Sequence, residues 1–153
     1  VVLRKFEPES VNVLFHTDIR SEKINHLQEC SQVSLLFYGY TLRLQVSFNG
    51  IAGIEKDPEL TQYQFENSSA DAQKCYAYGT QPSSIIHSKT KEELQPDIQL
   101  PLSANQLSTA KENFVVVRIV PDKCDILCLH YSGHIRVRAN RTPEGWVSEF
   151  VTA

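Results

Sequence analysis

The sequence predicts a mainly β protein, an antiparallel barrel with a few short attached helices. The clearest sign is the strict alternation of apolar and polar residues over positions 42–49, which indicates a strand with one apolar face. A second sign is a series of β-branched and aromatic runs that are mostly joined by short turns. A third is that helical periodicity is confined to brief stretches, and no internal repeat is present.

The first half of the chain is predicted to begin with strands and one short helix. The predicted strands cover residues 1–6, 11–15, 32–38 and 42–49, and the helix covers 21–30. Gly50 and Gly53 follow the fourth strand and suggest a bend or bulge.

The second half is predicted to start with helix and end with strands. Residues 57–79 have a helical pattern, with Asp57 as the cap and Pro58 at the first helical position. Residues 67–69 break this pattern, and a second helix is expected at 70–78. We expect a weak helix at 88–94 and a surface loop at 95–113, where prolines interrupt any period. The closing strands are predicted at 114–120, 124–130, 134–138 and 146–151, with residues 121–123 as a turn.

Composition limits the class of protein. The 153 residues suffice for one domain with a core, and we expect a single domain over 1–153. The formal net charge is −3 and the basic residues are scattered, which argues against a general nucleic-acid binder. No apolar run reaches the length of a membrane span, so we expect no membrane partner.

The ends and the cysteines suggest a location. The chain shows no signal-peptide pattern, and its four cysteines form no C-x-x-C pair. These features predict a cytoplasmic protein with buried or half-buried free thiols. The first strand starts at Val1 without a methionine, so we expect an N-terminal segment to precede it.

Several kinds of chemistry lack their motif. His130 and His134 flank a predicted hairpin turn, but two histidines are too few ligands for a metal site. The sequence has no nucleophile elbow, no P-loop and no G-x-G-x-x-G. These absences argue against a serine hydrolase, a nucleoside triphosphatase and a dinucleotide-binding enzyme.

Residues 16–23 form the strongest candidate site. They join a predicted strand to a predicted helix, where unpaired N–H groups and the helix dipole favour an anion. Thr17, Arg20, Ser21 and Lys23 add two hydroxyls and two cations, which suits a phosphate. The alternative is that Ser21 only caps the helix and the charges are solvated.

Further polar side chains occupy predicted strands. Arg136 and Arg138 share one face of their strand, and Gln45 lies on the polar face of another. With Arg4 and His16, this set suits a ligand that carries a phosphate tail and a heteroaromatic ring. A solvated sheet face is the alternative.

Taken together, these segments resemble the pyridoxamine 5'-phosphate oxidase-like family of FMN-binding split barrels. The similarity lies in the order and spacing of five segments: residues 1–6, residues 16–23, residues 33–37 with 44–46 and Gly50, residues 113–121, and residues 134–138. The resemblance implies a split β-barrel fold, FMN as cofactor, and a homodimer with FMN at the subunit interface.

The resemblance also implies cofactor-binding residues. Arg20, Ser21 and Lys23 would hold the phosphate with help from Thr17, and His16 and Gln45 would line the isoalloxazine. The first strand would contribute Val1, Val2, Leu3 and Arg4, and Arg136 or Arg138 would come from the partner subunit. No protein acid or base is assigned.

Three positions depart from the catalytic members of the family. Glu22 stands where they carry a basic residue, Gln81 precedes Pro82 in place of a basic residue, and Leu127 replaces a tryptophan. These departures disfavour pyridoxamine phosphate as the substrate. The sequence therefore predicts an FMN-binding oxidoreductase of another substrate, with a non-catalytic flavin- or haem-binding split barrel as the alternative.

Overall fold

The computed structural model describes residues 1–85 and 98–153. In these ranges the chain forms a seven-stranded sheet and four helices. The strands are β1 (Leu3–Glu7), β2 (Asn12–Asp18), β3 (Gln32–Gly39), β4 (Leu44–Ile54), β5 (Phe114–Cys128), β6 (Ile135–Thr142) and β7 (Gly145–Val151). The helices are α1 (Glu22–Glu29), α2 (Pro58–Glu66), α3 (Ala70–Lys74) and α4 (Ala104–Asn113).

Five of the strands form one continuous path in the sheet, and β6 and β7 branch from it. Their order is β1-β2-β5-β4-β3, and β6 pairs with β5 while β7 pairs with β6. The pairs β3–β4, β5–β6 and β6–β7 are antiparallel. Short turns between consecutive strands favour this pairing, as the sequence predicted.

Helix α2 begins as predicted. The Asp57 carboxylate accepts hydrogen bonds from the N–H groups of Glu59 and Leu60, and Pro58 is the first helical residue. The helical region is divided at residues 67–69 as predicted, because Asn67 ends α2 and Ser69 caps α3. The second helix is shorter than the predicted 70–78, since α3 ends at Lys74. The weak helix predicted at 88–94 lies outside the described residues.

The loop predicted at 95–113 was wrong for its second part, because residues 104–113 form helix α4. A capping box starts this helix: the Ser103 side chain accepts from the Gln106 N–H, and the Gln106 side chain accepts from the Ser103 N–H. The S-x-x-Q signal was present in the sequence, but the prolines before it outweighed it in the prediction.

The turn predicted at residues 121–123 was also wrong, because β5 runs through Pro121 without a break. The reason lies in Gly50 of β4. A Cβ at Gly50 would lie 2.3 Å from the Val120 carbonyl oxygen and 2.5 Å from the Pro121 Cα atom. The two backbones therefore approach so closely that only glycine fits, and Gly50 serves this contact instead of interrupting its strand.

The chain divides into two compact units. The first contains residues Val1–Val2, Phe15–Glu29 and Ile54–Val117, and the second contains Leu3–Leu14, Cys30–Gly53 and Arg118–Ala153. The first unit has a core that includes Ile24, Phe65 and Phe114. In the second unit, Leu14 and Ile119 are fully buried. The single domain expected from the sequence stays a prediction.

Within the described ranges, no helix has both the length and the apolar character needed to cross a membrane.

Candidate functional site

Two buried hydroxyl groups mark the junction between β2 and α1. Thr17 is 8% exposed and Ser21 is 6% exposed, and their side-chain oxygens lie 3.3 Å apart. Ser21 directly precedes α1, and its carbonyl oxygen accepts a bond from the Ile24 N–H. The hydroxyls therefore lie at the positive end of a helix, beside N–H groups that have no carbonyl partner within it.

Arg20 is held by Asp18 in the same turn. Its Nε donates to Asp18 Oδ1 at 2.9 Å, and its Nη2 donates to Asp18 Oδ2 at 2.7 Å. The hydrogen bond to Asp18 raises the pKa of Arg20, so the guanidinium stays charged. Asp18 is 6% exposed, and this buried carboxylate offsets the charge that Arg20 brings to the turn.

A second segment fixes Arg20 from the other side. The Tyr78 carbonyl oxygen accepts from Nη2 at 3.0 Å, and the Gly79 carbonyl oxygen accepts from Nη1 at 3.2 Å. The Gln81 amide donates in return to the Arg20 carbonyl oxygen at 2.7 Å. Four of the five guanidinium N–H groups are thus used within the protein.

His16 points into an aromatic cluster of the first unit. Its ring packs edge-on against Phe114 with centroids 4.7 Å apart, and its Nε2 lies 3.2 Å from the Gln64 side-chain oxygen. The same Phe114 ring contacts Phe65 and Tyr76. His16 is therefore a half-buried member of a packed cluster.

The other predicted residues of the first unit are exposed. Lys23 lies on the open surface of the first turn of α1. Val1 and Val2 are 75% and 61% exposed. The structure brings the hydroxyls of Thr17 and Ser21 into contact, and Arg20 and Lys23 lie on the same turn.

Three predicted residues of the second unit lie on or beside its first and fourth strands. Leu3 lines an apolar cavity of about 230 Å³ with Phe6 and Phe48. Arg4 is exposed on β1, and Gln45 is half-buried on β4 opposite Tyr38.

Arg136 and Arg138 face one carboxylate, that of Asp125. Arg136 donates to both oxygens of Asp125, with its Nε 2.9 Å from Oδ1 and its Nη2 2.9 Å from Oδ2, and Arg138 Nε lies 3.0 Å from Oδ2. The hydrogen bond from Arg136 is the main cause that lowers the pKa of Asp125. The shared face predicted from strand alternation is confirmed.

The two carboxylates that accept hydrogen bonds from these arginines were not predicted from the sequence. The role of Asp18 could have been predicted, because an aspartate side chain often accepts a hydrogen bond from the backbone N–H two residues later. Here Asp18 accepts from the Arg20 N–H at 2.8 Å. The role of Asp125 could not be predicted, because its position opposite Arg138 depends on the register between β5 and β6.

Metal chemistry finds no support in the described part of the chain. No group of three or more histidine, cysteine or acidic side chains there could hold a metal ion. The four cysteines are free thiols, as predicted, and Cys124 and Cys128 are half-buried. The predicted burial was wrong for Cys30 and Cys75, which are exposed. Burial raises the pKa of Cys124.

Comparison with known proteins gives one partial sequence match. No family model matches the chain. A pyridoxine/pyridoxamine 5'-phosphate oxidase from Photorhabdus laumondii is 35% identical over 89 residues, which cover 58% of this chain. The match spans only 39% of the length of that relative.

Two solved structures share the fold. A pyridoxamine 5'-phosphate oxidase-related, FMN-binding protein from Nostoc punctiforme matches 100% of this chain and 79% of its own, with a TM-score of 0.79 and 20% identity. PhzG from Burkholderia lata, solved with tetrahydrophenazine-1-carboxylic acid, matches 99% of this chain and 72% of its own, with a TM-score of 0.71 and 18% identity. The predicted fold class, a mainly β split barrel with short helices, is thereby confirmed. The chain therefore shares its fold with a pyridoxamine 5'-phosphate oxidase-related protein, and part of its sequence is similar to a pyridoxine/pyridoxamine 5'-phosphate oxidase.

Proposed function

We propose that this protein binds FMN and works as a flavin-dependent oxidoreductase. The observation that carries the proposal is the buried pair of hydroxyls, Thr17 and Ser21, at the N-terminus of α1. Hydroxyls and helix N–H groups are the donors that bind phosphate in many proteins. The fold is shared with a protein described as FMN-binding, which agrees with this reading.

The donor set fits a phosphate ester. Each hydroxyl can donate one proton, and their mutual contact at 3.3 Å is long enough to be exchanged for a bond to an anion. Asp18 balances Arg20, and Glu22 opposes the charge of Lys23 in the first turn of α1, so the positive potential at this turn comes mainly from the helix N–H groups. Arg20 keeps one N–H for the ligand and otherwise holds the turn in shape.

The remaining contacts follow the family pattern. We propose that the isoalloxazine lies along the backbone of residues 1–3, with His16 and Gln45 beside it. Arg136 or Arg138 would reach it from the partner subunit of a homodimer. When bound, FMN accepts and passes on a hydride, and the protein provides position and electrostatics.

The substrate we propose is not pyridoxamine phosphate. Gln81 occupies the position where the catalytic relatives carry a cation for the substrate phosphate, and its amide is used on the Arg20 carbonyl oxygen. A missing charge-assisted hydrogen bond costs about 1.5–3 kcal/mol.

We also propose a cytoplasmic location, because the four cysteines are free thiols.

The first test is flavin binding by the purified protein. We expect flavin absorption bands after incubation with FMN, and weaker binding of riboflavin, which lacks the phosphate. A colourless protein that takes up no FMN would refute the proposal, and a Soret band would favour the haem alternative. FMN binding without reduction or reoxidation by any donor or acceptor would favour a non-catalytic carrier.

The second test removes the two hydroxyls. The double variant Thr17→Val/Ser21→Ala should bind FMN about 100-fold more weakly, since each charged hydrogen bond is worth about 1.5 kcal/mol or more. Its affinity for riboflavin should stay unchanged. The variant should fold, because both partners of a mutual bond are replaced together. Ser108→Ala/Thr109→Val on α4 is the matched control, and equal FMN affinities in the two double variants would refute the phosphate assignment.

The third test separates the two cations. Lys23→Gln should weaken FMN binding about two- to fivefold, as expected for an exposed charge, and should leave the urea midpoint unchanged. Arg20→Gln should lower the midpoint, because Asp18 loses its partner. A stable Arg20→Gln protein with no flavin affinity would contradict the positioning role of Arg20.

A further inference from the structure

A second cleft lies in the first unit, on one face of helix α2. It has a volume of about 390 Å³, which is within the usual size range of small-molecule sites. Pro58, Thr61, Gln62 and Phe65 line it from the helix, and their spacing of three and four residues places them on one side. None of these residues belongs to the proposed flavin site.

The floor of the cleft is aromatic. Phe65 and Phe114 are each 3% exposed, and their ring centroids lie 5.2 Å apart at an angle of 72°. Phe114 also contacts Tyr76. The few exposed atoms of the two rings give the bottom of the cleft an apolar character.

The rim of the cleft carries two lysines, Lys56 and Lys111, and both side chains are exposed. Among the described residues, Lys111 makes a long contact of 4.0 Å with Glu66, and both partners are about half exposed. Such a pair contributes little and is easily exchanged. The one carboxylate of the lining, Glu55, accepts from the backbone N–H groups of Lys56 and Asp57 at 2.9 and 3.1 Å. The lining of the cleft therefore carries two cations and one anion, which leaves a net positive charge for an incoming anion.

We infer that this cleft binds a small aromatic carboxylate or sulfonate. The flat ring packs on Phe65 and Phe114, and the anionic group lies between the Lys56 and Lys111 ammonium groups. The site combines an apolar body with two convergent cations, which is the pattern of a small-molecule site. It shares no side chain with the proposed flavin site, although His16 of that site contacts Phe114.

The test is calorimetric titration of the full chain with naphthoate, in the presence of saturating FMN. We expect a Kd of about 0.1–1 mM, a normal value for a ligand of this size. Naphthalenemethanol, the neutral analogue, should bind about tenfold more weakly, since two exposed ion pairs are lost. Amide NMR shifts should locate the naphthoate effect in residues 54–66 and 110–117.

Variants separate the ring contact from the charge contact. Lys56→Gln/Lys111→Gln should lower naphthoate affinity about tenfold and leave naphthalenemethanol unchanged. Thr61→Trp should fill the cleft and abolish both interactions, whereas Tyr63→Trp on the opposite side of α2 should abolish neither. Equal affinity for the neutral analogue, binding that survives Thr61→Trp, or shifts confined to other residues would each overturn the inference.

Discussion

Replacing Gly50 by alanine would place a methyl group against the backbone of β5. The new Cβ would lie 2.3 Å from the Val120 carbonyl oxygen, 2.5 Å from the Pro121 Cα atom and 2.8 Å from the Val120 carbonyl carbon. Ordinary contact begins at 3.4 Å, so the shortest of these distances must grow by about 1.1 Å. All three atoms belong to the backbone, and no side-chain rotation can relieve the contact.

The stability lost in Gly50→Ala can be estimated from the effect of overpacking in protein cores. Inserted methyl groups destabilise by about 1–3 kcal/mol, and a backbone clash belongs at the upper end. We therefore expect Gly50→Ala to lower the free energy of unfolding by about 3 kcal/mol. In a chain of this length, that corresponds to a fall in Tm of about 6–12 °C.

Gly53→Ala is the matched control, because it makes the same change on the same strand. A Cβ at Gly53 meets nothing within 4 Å, so the substitution should be neutral or stabilise by about 0.5 kcal/mol through the unfolded chain. Urea unfolding of both variants, monitored by circular dichroism, gives the difference directly. Equal midpoints for the two variants would refute the close approach of β4 and β5.

Two further predictions concern stability. Asp125→Asn should flatten the acid side of the stability–pH curve. The lowered pKa of Asp125 gives stability above its ordinary pKa of about 4, and this stability is lost as the pH falls toward the folded value. A curve unchanged by Asp125→Asn would contradict the ion pair with Arg136. Ser103→Ala should cost about 1 kcal/mol in thermal unfolding by removing the capping box of α4, whereas Ser108→Ala in the body of that helix should change little, and equal losses would argue against the cap.

The sequence predicted the features that depend on neighbouring residues. Alternation identified β4, and the Asp57-Pro58 pair identified the start of α2, because a cap and a fixed φ act within one turn. The hydroxyls of Thr17 and Ser21 could be expected together, since four residues at a strand–helix junction bring them close. Fold class followed from these local signals and the short turns.

Features that depend on residues far apart along the chain could not be predicted from the sequence. Pro121 has the local signature of a turn, and it lies within a strand because β5 passes over the bare backbone of Gly50. In the same way, the register between β5 and β6 decides that Asp125 holds Arg136 and Arg138. The partners of Arg20 after α3 also lie about sixty residues away along the chain.

The bonds of Arg20 have a consequence for how any anion can use this side chain. Asp18 and the carbonyl groups of Tyr78 and Gly79 already occupy most of its N–H groups. An anion that binds more than the one remaining N–H group of Arg20 must displace Asp18 or a backbone carbonyl from the guanidinium. Binding of the anion is then an exchange of hydrogen-bond partners. The anion then competes with the segment at Tyr78 and Gly79 for the same guanidinium, and tighter anchoring of that segment weakens the hold of Arg20 on the ligand.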